Sequence, residues 1–256
     1  MNNYFSIDNK HISNSKISDW LKDKNFFQRK HILGEIKQVE TQPLRIGKAV
    51  DCWLTSGKNV FDKNYIAVSR RNLKNPPEDY IELPMKEYEA IQNMCEIVEK
   101  QQAFQDLKDY RRQIILKKNI DGLGIWKGIC GIPDFLKIDG DNAIIVDLKT
   151  STTIEPVAYH YHCLKYGYYR QLAMYSLLVE YCYEITNIEC KHFVVEKDTD
   201  GIFNCQTFTL DAERIENEKE TILNAIQEIG DEKDFNIKNV GWNDSIPIGE
   251  IEEISF

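Results

Sequence analysis

The chain has 256 residues, 42% hydrophobic and 29% charged, with a formal net charge of −9. Such a length and composition belong to a globular protein with a sizeable core and exclude a disordered or fibrous chain. No apolar run is long enough to cross a bilayer and the opening Met1-Asn2-Asn3-Tyr4-Phe5-Ser6 lacks a signal-peptide pattern, so no membrane partner and a cytoplasmic location are expected.

Ser15 to Ile36 reads as a helix with Ser18 at its N-cap, and Pro43 to Leu54 as a second. Tyr65 to Val68 is a short strand, and the proline-broken residues 69–84 read as a loop carrying Arg70, Arg71 and Lys74. Pro84 opens a helix to about Phe104, with Tyr88, Ile91, Cys95 and Val98 on one stripe. A second basic cluster, Lys108 to Arg112 with Arg111 and Arg112 at its end, precedes Lys117-Lys118. Either cluster could contact DNA, although such a run is more often a solvated face.

Strands are expected at Arg112 to Leu116 and Gly124 to Gly131, followed by a hairpin, then a helix from Tyr159 to Tyr183. Two more strands, Lys191 to Val195 and Phe203 to Leu210, flank a turn at Asp198-Thr199-Asp200-Gly201, and a helix runs from Asp211 to Ile229. Residues 211–256 hold thirteen Asp and Glu against four Lys and Arg, leaving residues 1–210 with 28 of each. The acidic excess is thus confined to the C-terminal segment, though an acidic total still lowers non-specific affinity for DNA. Helices, a meander, a helix, more strands and a last helix predict a mixed α/β fold.

The hairpin holds the most chemistry. Asp139-Gly140-Asp141-Asn142 is strong turn sequence between apolar, β-branched flanks. A turn centred on Gly140 and Asp141 sets Ile138 opposite Ala143 and Asp134 opposite Asp147. Facing residues on paired strands have Cβ atoms about 4.5–5.5 Å apart, and like charges there repel unless a cation intervenes. Lys149, two residues after Asp147, projects from the same strand face. Two carboxylates and an ammonium on one sheet suit Mg²⁺ or Mn²⁺ and a phosphate substrate. The same spacing is equally that of an ordinary hairpin with exposed charges.

Pro133-Asp134 followed by Asp147-Leu148-Lys149 resembles the core of the PD-(D/E)XK nuclease superfamily. Gln171-Leu172-Ala173-Met174-Tyr175 resembles the QxxxY element of its RecB-like branch, and Ile46-Gly47-Lys48-Ala49-Val50-Asp51 its GxxxH helix, with Asp51 where His is usual. Phe61 to Ile66 and Leu83 to Ile91 are similar to phage-type exonucleases related to exodeoxyribonuclease VIII (RecE). The motifs span roughly residues 15–210, and four weak motifs in the right order are more specific than any one.

The resemblance implies a restriction-endonuclease-like mixed β-sheet flanked by helices. It implies a nuclease core over residues 1–210, with an acidic helix and tail over 211–256 packed on it. Asp51, Asp134, Asp147 and the Leu148 carbonyl would be metal ligands, and Lys149, Asp147, Asp134, Gln171 and Tyr175 catalytic residues. Gln171 and Tyr175, at i and i+4, share one helix face and could hold Lys149 or a phosphate; Tyr175 is equally placed to be core. The cysteines do not reproduce the pattern of the family's iron–sulfur members, so no cluster is expected. The implied activity is a metal-dependent exonuclease on double-stranded DNA ends, in phage-type recombination with a single-strand annealing protein and as a homo-oligomeric ring. A structure- or site-specific endonuclease and a non-catalytic DNA-binding or assembly subunit are the alternatives.

Overall fold

The computed structural model describes residues 10–37, 39–68, 80–197 and 203–232. After β1 (His11–Ile12) comes α1 (Asn14–Lys22), with Ser13 at its N-cap, so Ser18 lies inside the helix rather than at its start. The expected long helix is broken at Asp23, whose extended backbone (φ −164°) lets its carboxylate accept from the N–H groups of Asn25 and Phe26. That caps α2 (Lys24–Phe27), which runs into a π-helical turn at Gln28–Ile32. A side-chain cap of this kind is worth roughly 1 kcal/mol and fixes where the new helix starts.

α3 (Gln42–Asp51) carries Pro43 in its first turn and passes into a π-helical turn at Cys52–Ser56. α4 (Lys58–Asn64) leads to β2 (Tyr65–Val68), which pairs in parallel with β3 (Ile81–Pro84). The end of the proposed 69–84 loop is therefore a strand; its partner is distant in sequence, which a local reading of the prolines does not register. Pro84 then caps α5 (Met85–Val98), and the helix stops short of Phe104, which sits in the separate turn α6 (Gln102–Gln105).

The strand expected at Arg112–Leu116 divides at Gln113, which adopts φ +46°. β4 (Arg111–Arg112) pairs with β7 (Phe135–Asp139), whereas β5 (Leu116–Asn119) pairs with β6 (Gly128–Gly131). After β7 come β8 (Asn142–Ser151), α7 (Pro156–Tyr166), α8 (Tyr168–Tyr183), β9 (Asn187–Glu196), β10 (Cys205–Thr209) and α9 (Ala212–Asp231). The helix expected over Tyr159–Tyr183 is split by Gly167 at φ +66°, a left-handed conformation that costs about 1–2 kcal/mol for a residue with Cβ.

Among the described residues the main sheet runs β10-β9-β8-β7-β4. β8 and β9 are parallel, joined through α7 and α8, and the other pairs are antiparallel. The sheet is mixed and flanked by helices, the restriction-endonuclease-like arrangement expected. Ala143 and Ile145 of β8 pack in one core with Leu172 and Met174 of α8 and Ile222 and Ile226 of α9. Val146 and Leu148 face the other core, with Val50 of α3 and Ile91 and Cys95 of α5. Strand alternation then dictates that Asp147 and Lys149 emerge on the α8 side.

Candidate active site

β7 and β8 pair in the expected register, Phe135 opposite Val146 and Ile138 opposite Ala143, and one further step sets Asp134 opposite Asp147. Backbone pairing stops at Phe135, and the Asp134 carboxylate takes over: its Oδ2 accepts the Leu148 N–H at 2.7 Å. Leu148, expected to offer its carbonyl to a metal, is engaged here through its N–H.

Asp147 is buried, its side chain 2% exposed, and forms an ion pair with Lys149. Gln171, on the first turn of α8, fixes both. Its Oε1 accepts from Lys149 Nζ at 2.8 Å, and its Nε2 donates to Asp147 Oδ1 at 3.1 Å and to the Tyr175 hydroxyl at 2.9 Å. Only this orientation of the amide satisfies all three partners, because an ammonium has nothing to accept with and a carboxylate nothing to donate. The Lys149 ammonium also lies 4.8 Å from the centre of the Tyr168 ring. Tyr175 is both core and site: it is 6% exposed, belongs to the α8 core, and holds the Gln171 amide. A Cβ on Gly131 would lie 2.9 Å from two Tyr175 ring carbons, so the bare backbone of β6 makes room for that ring.

Asp51 arrives from the opposite layer, at the end of α3. A Cβ on Gly47 would lie 3.5 Å from Thr150 Oγ1, so the helix rests on β8 at van der Waals distance. Gln113 ties Asp51 to the hairpin. Its N–H donates to the Asp134 carbonyl at 3.0 Å, and its side-chain amide donates to Asp51 Oδ2 at 3.2 Å. The positive φ of Gln113 is the sort of backbone cost that persists where surrounding contacts enforce it. The sequence pattern marks Gln113 only as a strand residue. Asp51 Oδ1 is buried and has no hydrogen-bond partner among the described residues.

Burial, then the charge of Asp147, pushes the Asp51 carboxyl up to about 6. Burial, then the charges of Asp51 and Asp147, drives Asp134 well above the usual carboxylate range. For Lys149 burial works downward, but Asp147 and Asp134 outweigh it and hold the ammonium above its ordinary value. Lys149 is therefore a proton-bearing cation in this arrangement rather than a free base. On β9, His192 sits opposite Asp147, fully buried, with Tyr159 Oη 3.0 Å from its Nδ1. Burial, then the Lys149 charge, keeps its pKa well below the ordinary value, so the ring is neutral. His192 too was missed; only its position on a strand next to β8 marks it.

Three carboxylates thus share one ammonium in a buried setting. Among the described residues no three His, Cys, Asp or Glu side chains converge tightly enough to hold a metal ion as they stand. The donor set nonetheless fits a hard dication. It is all oxygen, its acids repel one another, and Asp51 keeps an oxygen free.

Of the proposed DNA-contacting residues, Arg111 is exposed on β4 and donates to the Tyr183 hydroxyl at 3.3 Å. Arg112 is partly buried, with its guanidinium 5.7 Å from the Phe135 ring centre and one donor reaching the Leu54 carbonyl at 3.5 Å. Arg70, Arg71 and Lys74 lie outside the described residues, as does the turn at residues 198–201.

Residues 13–236 match the model of a family described as a PDDEXK-like domain of unknown function (DUF3799), and the chain belongs to that family. A comparison with curated proteins finds no match. Among solved structures, the chain is similar to a candidate exonuclease from Eubacterium rectale. The two are 15% identical with a TM-score of 0.63, over 91% of this chain and 86% of that one. It is also similar to an alkaline exonuclease from Laribacter hongkongensis, at 11% identity and a TM-score of 0.42 over 88% and 90% of the two chains. A phage-related exonuclease from Haemophilus somnus 129PT matches at 11% identity and a TM-score of 0.35, over 87% and 94%. The first of these establishes a shared fold. No helix among the described residues is long and apolar enough to cross a membrane.

Proposed function

We propose that this protein is a metal-dependent deoxyribonuclease that hydrolyses phosphodiester bonds from the ends of duplex DNA. The observation that carries the reading is the Lys149 ammonium, held by Asp147 and Gln171 beside two further carboxylates whose proton affinity is raised by burial and then by mutual repulsion. Asp51, Asp134, Asp147 and the Leu148 carbonyl would hold Mg²⁺ or Mn²⁺, which when bound polarises the scissile phosphate and acidifies water. Lys149, protonated, supplies positive charge to the phosphate oxygens as negative charge builds on them. Gln171 keeps that ammonium aimed, and the Tyr175 hydroxyl keeps the Gln171 amide from turning. Gln113 sets the distance between Asp51 and Asp134. Digestion from ends, rather than internal cleavage, is the reading suggested by the exonuclease name of the Eubacterium rectale protein, since the shared fold by itself serves both. Exposed Arg111, on β4 next to β7, is a described basic residue able to contribute to contact with the DNA backbone. A single-strand annealing partner and a ring-shaped oligomer belong to the same reading.

The test is incubation of end-labelled linear duplex and covalently closed circular duplex with Mg²⁺, with EDTA, and with Lys149→Ala. The expected result is loss of linear DNA alone, abolished by EDTA and by the substitution. Cleavage of the circle would make the protein an endonuclease. Binding without cleavage would make it a non-catalytic subunit. Full activity of Lys149→Ala would remove the assigned chemistry.

A further inference from the structure

Just past the candidate site the chain turns aromatic. From Pro156 to Gln171 it contains five tyrosines, Lys165 and Arg170, and no Asp or Glu, within a protein whose net charge is −9. Tyr159 and Tyr169 are buried in the α8 core, but Tyr166 is 56% exposed at the last turn of α7. Its ring lies 5.6 Å from that of Tyr168, tilted by 30°, and the Tyr168 ring in turn lies under the Lys149 ammonium. The ring of His162 stands 5.9 Å from that of Tyr166, edge to face, and the Lys165 ammonium 5.5 Å from its centre. Aromatic rings therefore step outward from the lysine of the active site to solvent, flanked by cations.

The geometry points to Tyr166 as a stacking platform for one unpaired base of the substrate, the base adjoining the phosphate held at Lys149. This inference rests on the nuclease reading and names part of its substrate. A phosphate at Lys149 and a base at Tyr166 would be separated by the single ring of Tyr168, whose centre lies 4.8 Å from the ammonium and 5.6 Å from the Tyr166 ring, so a strand bound at the lysine can bring a neighbouring base to Tyr166. A base inside a duplex has both faces covered by its neighbours and the outermost pair exposes only its outer face, so an unpaired nucleotide is the one that can turn a face to Tyr166 while its phosphate stays at Lys149. Base–aromatic stacking does not discriminate strongly among sequences, because every base has a π-face. The absence of acidic groups across the segment and the presence of Lys165 suit a phosphodiester strand and disfavour a basic protein partner. The favoured ligand is thus a frayed or single-stranded DNA end, of no particular sequence.

The test measures equilibrium binding by the full chain, with Ca²⁺ replacing Mg²⁺ to slow cleavage. The probe is a duplex oligonucleotide with a short single-stranded end, in which 2-aminopurine replaces one base at a time. The wild type should quench the fluorescence at one position. Tyr166→Ala should lose that quenching and bind about tenfold more weakly, the scale of one lost base–aromatic stack. Tyr166→Phe should keep both, and on a probe abasic at that position the wild type and Tyr166→Ala should bind alike. Equal binding and quenching by wild type and Tyr166→Ala would overturn the platform and leave the nuclease reading standing. So would a Tyr166→Phe variant as weak as the alanine, since the contact would then be the hydroxyl. A wild type that binds none of these probes would overturn both.

Discussion

Asp51→Asn should make the metal-free protein more stable while removing one ligand of the metal it is proposed to hold. The asparagine keeps the shape of the side chain and an oxygen for the Gln113 amide, so the change is chiefly one of charge. The Asp51 carboxyl titrates near 6 in the fold against an ordinary value of 3.8, because it is buried and then because Asp147 repels it. Each unit of such a shift corresponds to about 1.4 kcal/mol, so the ionised group costs the fold at most about 3 kcal/mol. Asp147 and Asp134 share that cost, which leaves roughly 1–3 kcal/mol to be recovered by one substitution.

Below pH 3.8 both folded and unfolded chains carry a neutral carboxyl and Asp51 costs nothing. Between 3.8 and about 6 the unfolded chain releases its proton first, so stability falls as pH rises; above 6 the penalty is complete. Thermal unfolding of the metal-free variant should therefore exceed that of the wild type by roughly 2–6 °C at pH 8, and the gap should close toward pH 4. Adding Mg²⁺ should raise the wild type and move the variant less. A variant no more stable than wild type at pH 8, or an advantage equally large at pH 4, would show that burial and the neighbouring Asp147 do not penalise the ionised Asp51 as the geometry requires.

Gln171→Leu leaves Lys149 and Asp147 without their shared amide; single-turnover cleavage of linear DNA should slow by about 10–100-fold, and the unfolding temperature should fall by a few degrees because buried polar groups lose their partner. Gly131→Ala drives a methyl into Tyr175 and Leu178 and should destabilise by about 1–3 kcal/mol in urea titration, with activity falling because the Tyr175 hydroxyl moves away from Gln171. His192 stays neutral in the fold, so below pH 6.5 the unfolded chain takes a proton that the native one refuses, and stability drops as pH falls. His192→Gln should remove about 1 kcal/mol of that acid sensitivity between pH 6.5 and 5.5, read as the difference between the two urea midpoints.

Much of the candidate site was legible as local pattern. The turn chemistry around Gly140 and Asp141 sets the register, and a period of two then places Asp147 and Lys149 on one face with Asp134 opposite. A period of 3.6 puts Gln171 and Tyr175 on one helical face, and Gly47 one turn before Asp51. Such relations follow from strand and helix geometry alone and survive whatever packs around them. Helix ends were less legible. The breaks at Asp23 and Gly167 each depend on one residue's backbone dihedral, inside runs whose apolar spacing continues across the break.

What the chain's order of residues determined by itself is which functional groups travel together on one element. Tertiary structure alone decided how those elements meet. It divided the strand at Gln113 between two sheets and brought Asp51 from the α3 layer to the hairpin. It set His192 beside Asp147 and laid Tyr166 on Tyr168 next to the lysine. The physical reason is range: dihedral preference and periodicity act over a few residues. The approach of one layer to another is settled by how side chains far apart in sequence fill the space between them.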